Sequence, residues 1–193
     1  DKYLELMNDD RIIRWYTQNK CTHHPKLEAL PIGIANSQWP HGNVDILLDI
    51  KKQRIPKDKL LYVNFNINTN PRRPWIMRIV EKVASRSFPT NHRGFLEGVA
   101  ASKFCVCPPG NGPDSHRVWE CLYLNTIPIV DNSIPAVWDD FTDMPILRVD
   151  DWKQITRDHL LKVYANIHWE NYNFEKSNFG YYTKKIIKQT VPI

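Results

Sequence analysis

The sequence predicts an α/β domain built around a mostly parallel sheet. Short runs rich in Val, Ile, Leu and Phe alternate with helix-patterned stretches, the order of βαβ units. One of those runs, "KFCVCPP" (103–109), reads as a buried strand closed by two prolines. The chain has 193 residues, 42% hydrophobic and 24% charged, which suits one packed domain, or one domain plus a fragment of another, without staples.

Element by element, residues 1–10 read as a short helix carrying Tyr3, Leu4 and Leu6. "IIRWYTQN" (12–19) reads as a strand running into a loop, and "LEALPIGIAN" (27–36) as a short strand whose Pro31 marks an edge or a start. "NVDILLDIKKQ" (43–53) has apolar residues at 44, 47, 48 and 50 and ends in lysines, the pattern of a helix. "KLLYVNFNINT" (59–69) is the clearest strand. A helix over 74–86 opens on Pro74, and a shorter helix covers 93–102. After the 103–109 strand come a helix over 114–125, a strand over 126–132, a loop or short helix at 136–141 and a strand over 145–151. A helix over 152–168 follows, and one more over "YYTKKIIKQ" (181–189).

Net charge is +5, mildly basic, which fits an anionic ligand without demanding nucleic acid. Positive and negative residues are interspersed, and no run of five Lys or Arg forms a basic tail. No apolar run is long enough to span a membrane and no secretory signal opens the sequence. The first residue is Asp1 rather than Met, so the sequence is expected to begin inside a longer protein. Cys21, Cys105, Cys107 and Cys121 lack a zinc-ligand spacing and read as buried free thiols in a reducing compartment. On a strand over 103–107, Cys105 and Cys107 face the same way.

The segment "CPPGNGPDSHRVWECLYLNTIPIV" (107–130) poses a problem of charge. Helix starts favour acidic residues because the backbone dipole is positive there, yet His116 and Arg117 occupy this first turn. Gly110, Asn111 and Gly112 make a turn whose amides can approach a ligand, and Asp114 or Ser115 can cap the helix. The free amides, His116 and Arg117 then suit a nucleotide diphosphate, and Glu120, on the same helix face, suits ribose hydroxyls. The alternative is an intrahelical pairing of Glu120 with His116 and Arg117 on a solvated face.

"SKFCVCPPGNGPDSHRVWECLYLNTIPIV" resembles the signature of exostosin-like glycosyltransferases: a Ser-Lys-Phe strand, a Pro-Gly turn, Asp-x-x-Arg, a helix with Glu, and a Pro-Ile-Val strand. "HPKLEALPIGIANSQWPHGN" (24–43), "LLYVNFNINTNPRR" (60–73) and "MPILRVDDW" (144–152) resemble, in the same order, segments of shorter exostosin-like proteins from bacteria and large DNA viruses. The resemblance spans roughly 12–170, and the central block is similar in spacing to the donor-binding halves of fucosyltransferases. It implies a Rossmann-like GT-B architecture with parallel sheets. Residues 1–55 are then a small or truncated acceptor-side segment, 56–168 the nucleotide-sugar-binding domain and 169–193 a helical tail. It implies that Glu120 holds ribose and that Arg117 and the 110–115 turn cradle the diphosphate. Ser115, often Cys or Pro in the family, and Asn125, usually Gly, depart from the pattern; Asn125 can still turn left-handed.

Two further segments are candidates. In "NINTNPRRP", at the carboxyl end of the clearest strand, Thr69 and Asn70 suit hydrogen bonding, and Arg72 or Arg73 suits the phosphates, Arg73 matching the family position better. The alternative is a solvated turn. In "SQWPHGN" (37–43), His41 suits a general base, with Asp45 as the carboxylate alternative, and Trp39 suits stacking on a sugar; the alternative is a loop that packs Trp39. His24 is a weaker candidate. Asp139/Asp140 and Asp150/Asp151 are adjacent pairs, not Asp-x-Asp, and adjacent strand residues face opposite ways, so no metal is expected. Asp151 reads as a helix cap.

The expected activity is transfer of a sugar from a UDP- or GDP-sugar to a glycan or glycoprotein hydroxyl, inverting, without metal or cofactor. The expected setting is cytoplasmic, and host cytoplasm if the source is viral. A nucleotide-sugar-binding module without transferase activity is the alternative. A glycoside hydrolase would need paired acids across a cleft, and no convincing pair is evident.

Overall fold

The computed structural model describes residues 2–89 and 91–190. The chain opens with α1 (Lys2–Met7), followed by β1 (Trp15–Thr17), β2 (Leu27–Ala29) and α2 (Val44–Gln53). It continues through β3 (Lys59–Tyr62), α3 (Arg73–Val80), α4 (His92–Ala100), β4 (Ser102–Val106) and α5 (His116–Tyr123). Then come β5 (Ile127–Asp131), β6 (Leu147–Val149), α6 (Arg157–Ala165) and α7 (Phe179–Thr190). The expected α/β class with parallel sheets is present. β3, β4, β5 and β6 pair in that order, all parallel, and β1 pairs parallel with β2 in a separate small sheet.

Strand alternation sorts the core into two layers. Leu61, Phe104, Val106, Ile127 and Ile129 face one side of the sheet, where α3 and α6 supply Ile76, Val80 and Leu160. Tyr62, Cys105 and Val130 face the other, against Leu47 and Ile50 of α2, Leu96 and Val99 of α4, and Val118 and Leu122 of α5. That second layer also takes in Ala29 of β2 and Tyr182 of α7, so residues before 56 and after 168 share one apolar cluster with the sheet. The end of the expected tail, 191–193, lies outside the described residues. Lys57 ties the layer together: its Nζ lies 2.9 Å from Ala100 O and 3.1 Å from Leu124 O, carbonyls at the ends of α4 and α5, where a cation complements the helix dipole.

Local side chains shift several boundaries. The strand expected over 59–69 ends at Tyr62, and Asn66 caps a 3-10 turn at Ile67–Thr69 by accepting from the Asn68 amide. The helix expected over 74–86 ends at Val80, and its chain continues in tighter turns through Ala84. The helix expected over 152–168 is split. Asp151 and Gln154 form a capping box on the turn Trp152–Gln154, and Thr156 then caps α6 separately. Asn125 is left-handed, at φ 54°, as the departure from Gly requires. Among the described residues, no helix is long and apolar enough to cross a membrane.

Candidate functional site

A cleft of about 620 Å³ opens at the carboxyl ends of β3 and β4, where parallel α/β sheets bind ligands. The turn after β4 contributes Gly110 and Asn111, and the first turns of α5 contribute Ser115, His116, Arg117 and Glu120. The start of α4 adds Asn91, His92 and Phe95, while Arg73 and His41 complete the wall. Another hollow, about 440 Å³, runs beside α7; its lysines 184 and 188 are exposed, and no buried polar group converges on it.

The puzzle of positive charge at the start of α5 has a local answer. His116 donates Nδ1–H to Gly33 O at 2.7 Å, which leaves Nε2 as its other ring nitrogen. The Arg117 guanidinium lies over the Phe95 ring, 5.2 Å from its centroid. Its Nε is buried and without a hydrogen-bond partner, while the residue itself lines the cleft. Ser115 occupies the N-cap position but makes no capping bond.

Glu120 is buried, and its Oε1 lies 2.9 Å from His92 Nε2. His92 from α4, not His116 or Arg117 on its own helix, is therefore its partner, and the intrahelical pairing is not formed among the described residues. Sequence reasoning missed His92. Its only signal was the "NHRG" start of a helix, with Asn91 as cap, and nothing local tied it to a residue 28 positions on.

Other expected site residues have different jobs. Two amides of the 110–115 turn are engaged within the protein, one inside the turn and one by Asn19, which narrows its reading as an open anion cradle. Gly110 N–H donates to Gly112 O, and Asp114 N–H donates to Asn19 Oδ1. Neither Gly110 nor Gly112 is left-handed. They are small because of neighbours: a Cβ on Gly110 would sit 3.1 Å from Arg73 Nη2, and one on Gly112 2.6 Å from Asn19 Oδ1. Gly112 and Asp114 are not among the cleft residues.

Arg73 reaches the cleft, but its guanidinium is a brace rather than a free phosphate ligand. Nε donates to Pro109 O at 2.8 Å, Nη1 to Asn66 O at 2.8 Å and to Thr69 Oγ1, and Nη2 to Pro108 O at 3.0 Å. Burial and the nearby Arg117 push its pKa down to about 10, so it stays charged at neutral pH. Asn70 donates to Gly110 O at 3.0 Å and so braces the same turn. Arg72 lies outside the cleft, paired with Asp131 at 2.8 Å and bonded to Ser133.

His41 does line the cleft. It stacks on Trp39 with ring centroids 6.3 Å apart and approaches the rings of His92 and His116 at 6.3 and 6.0 Å. Trp39 is half exposed rather than packed away. Asp45 is a correction: it sits exposed in the first turn of α2, outside the cleft, where its amide bonds Asn43 Oδ1. His24 lies near Asn8, 3.2 Å from its Oδ1, also outside the cleft. Asp140 holds Lys20 and the Ala29 amide of the N-terminal segment, and the adjacent Asp139 holds Arg148 of β6, so both aspartates have structural partners.

Asp114 is a buried structural carboxylate. It accepts from the Ile32 amide at 2.8 Å and from Trp119 Nε1 at 2.9 and 3.0 Å. Burial pushes its pKa up to about 6, with those donors pulling the other way. Its folded value exceeds the unfolded one, so its contribution to stability is greatest below about pH 4 and is lost as pH rises through about 6. A two-unit shift corresponds to about 3 kcal/mol. Urea unfolding of Asp114→Asn between pH 4 and 7 should therefore show a flatter profile than the parent chain. Parallel profiles for the two proteins would refute this assignment.

No protein-family model matches the sequence.

Proposed function

We propose that the protein is a glycosyltransferase of GT-B type, transferring a sugar from a UDP- or GDP-sugar to a glycan hydroxyl with inversion and without a metal. The observation that carries this reading is the buried, unpartnered Nε of Arg117 on a cleft that also holds His116, Glu120 and His41. A diphosphate in the cleft would give the Arg117 guanidinium charge-assisted acceptors, with a small shift of the side chain bringing its buried Nε into reach, and would reverse the sign of the repulsion between Arg117 and the helix dipole. Glu120, oriented by His92, presents a carboxylate to ribose hydroxyls. As the bond to the sugar breaks, Arg117 and the dipole of α5 stabilise the departing diphosphate, with Arg73 adding a fixed charge behind them. His41 is the base for the acceptor hydroxyl, and Trp39 stacks against the acceptor. The resemblance of 102–130 to exostosin-like glycosyltransferases supports the same assignment.

A nucleotide-sugar-binding module without transferase activity is favoured by one observation: Asp45 stands outside the cleft, and His41, the base proposed for the acceptor, is exposed. Calorimetric titration with UDP and with GDP in chelator, beside Glu120→Ala, tests the binding shared by both readings. We expect one nucleotide to bind and Glu120→Ala to weaken it. Failure of both nucleotides to bind the folded protein, with and without manganese, would end both readings. Sugar transfer that is lost in His41→Ala, with nucleotide affinity retained, separates the enzyme from the module.

A further inference from the structure

The second core layer holds a group of side chains that the proposed chemistry does not use. Cys105 and Cys107 face the same way, two residues apart at the end of β4, and Cys121 meets them from α5. Each is at most 1% exposed. Their three Sγ atoms lie within 4.8 Å of one another, and Cys107 Sγ is 3.9 Å from Cys121 Sγ. Among the described residues, no further Cys, His, Asp or Glu joins the group. The sulfur contacts it makes internally are long, 3.5 Å from Cys107 to Cys105 O and 3.9 Å from Cys105 to Val106 O.

We propose that Cys105, Cys107 and Cys121 form a three-coordinate thiolate site for a soft closed-shell cation, with monovalent copper as its best match. Metal–sulfur bonds of about 2.3 Å in a plane put the sulfurs about 4 Å apart. The 3.9 Å pair already has that spacing, and since no separation exceeds 4.8 Å, the others close by less than about 1 Å. Soft thiolates select copper(I) and zinc among the common metals. Zinc in structural sites takes four ligands, whereas this apolar pocket offers three sulfurs and no exposed position for water. Each cysteine that binds as thiolate releases its proton to the buffer. Arg117 interacts electrostatically with Cys105 and Cys107, and Lys57 with Cys105 and Cys121, so two cations offset part of the thiolate charge, with Glu120 opposing them at Cys105.

The ligands come from β4 and the residue after it and from α5, the elements that the 107–115 loop joins, so bound metal would clamp β4 to α5. This site is independent of the sugar-transfer reading, because it needs none of the cleft residues as ligands.

The test is anaerobic titration of the reduced full chain with copper(I), against bathocuproine disulfonate, with copper added to the folded protein and also during refolding from urea. We expect one copper per chain, an ultraviolet thiolate-to-copper band and a rise in Tm. Cys107→Ser and Cys121→Ser should each weaken binding at least a hundredfold, while Cys21→Ser, at an exposed cysteine, should bind as the parent does. No retained copper and no Tm rise in the parent chain by either route would overturn the site. So would binding that persists in Cys107→Ser or disappears in Cys21→Ser. If a core variant fails to fold, the parent chain's Tm and stoichiometry decide alone.

Discussion

Replacing Arg117 by Ala is expected to weaken binding of the nucleoside diphosphate by about a hundredfold while leaving the empty protein nearly as stable as before. The two halves of this prediction have separate causes. In the empty protein, Arg117 gains a cation–π contact with Phe95, worth about 0.5–1 kcal/mol. It also stands at the positive end of α5, which costs about 0.3–1 kcal/mol. These nearly cancel, and Ala is the better helix former. In the complex, each bond from the guanidinium to phosphate contributes about 1.5–3 kcal/mol, so losing even one costs one to two decades of affinity. Arg117→Lys keeps the charge but loses the planar fork, so we expect roughly tenfold weakening. Calorimetry and thermal unfolding on the same samples separate the two effects. Undiminished affinity in Arg117→Ala would remove the central support for the sugar-transfer reading.

Arg73→Met is expected to do the reverse, destabilising the fold by about 3 kcal/mol or more. Arg73 is 7% exposed. Its guanidinium holds the 66–69 turn to the 108–109 segment through Asn66, Thr69, Pro108 and Pro109. A Met of similar reach leaves those acceptors without a donor, and relaxation and entering water recover only part of the loss. Arg72→Met should cost about 1 kcal/mol, because Arg72 is half exposed and Asp131 keeps its bonds from Trp152 and the Ser133 amide. Urea unfolding of the two variants side by side checks this. Equal destabilisation would contradict the assignment of Arg73 as the brace.

The contrast between these neighbouring arginines shows where sequence reading reaches its limit. "NPRRP" puts two cations at the carboxyl end of a strand, and family spacing points to Arg73. Neither observation says whether a guanidinium faces ligand or carbonyl oxygens. That depends on where the 108–110 turn comes to rest, 35 residues on in the chain. The same holds for Asp114, a plausible helix cap by spacing. Trp119 and the Ile32 amide, from its own helix and from a segment 82 residues earlier, claim its oxygens instead.

From sequence alone, the α/β class, the parallel sheet, the order of elements and the cleft-facing placement of His116, Arg117 and Glu120 were legible. The first three rest on local periodicity and the two-residue repeat of strands; the shared face of the last three rests on neighbouring turns of one helix, and its turn toward ligand rather than solvent on the resemblance of 102–130. Tertiary structure alone decided the partners: His92 for Glu120, Gly33 for His116, Asn19 for the turn before α5, and Cys121 for the thiols of β4. Those pairings arise because buried polar groups must find donors or acceptors wherever packing brings them. The packing that joins residues so distant in the chain is a property of the whole core, and no local pattern encodes it.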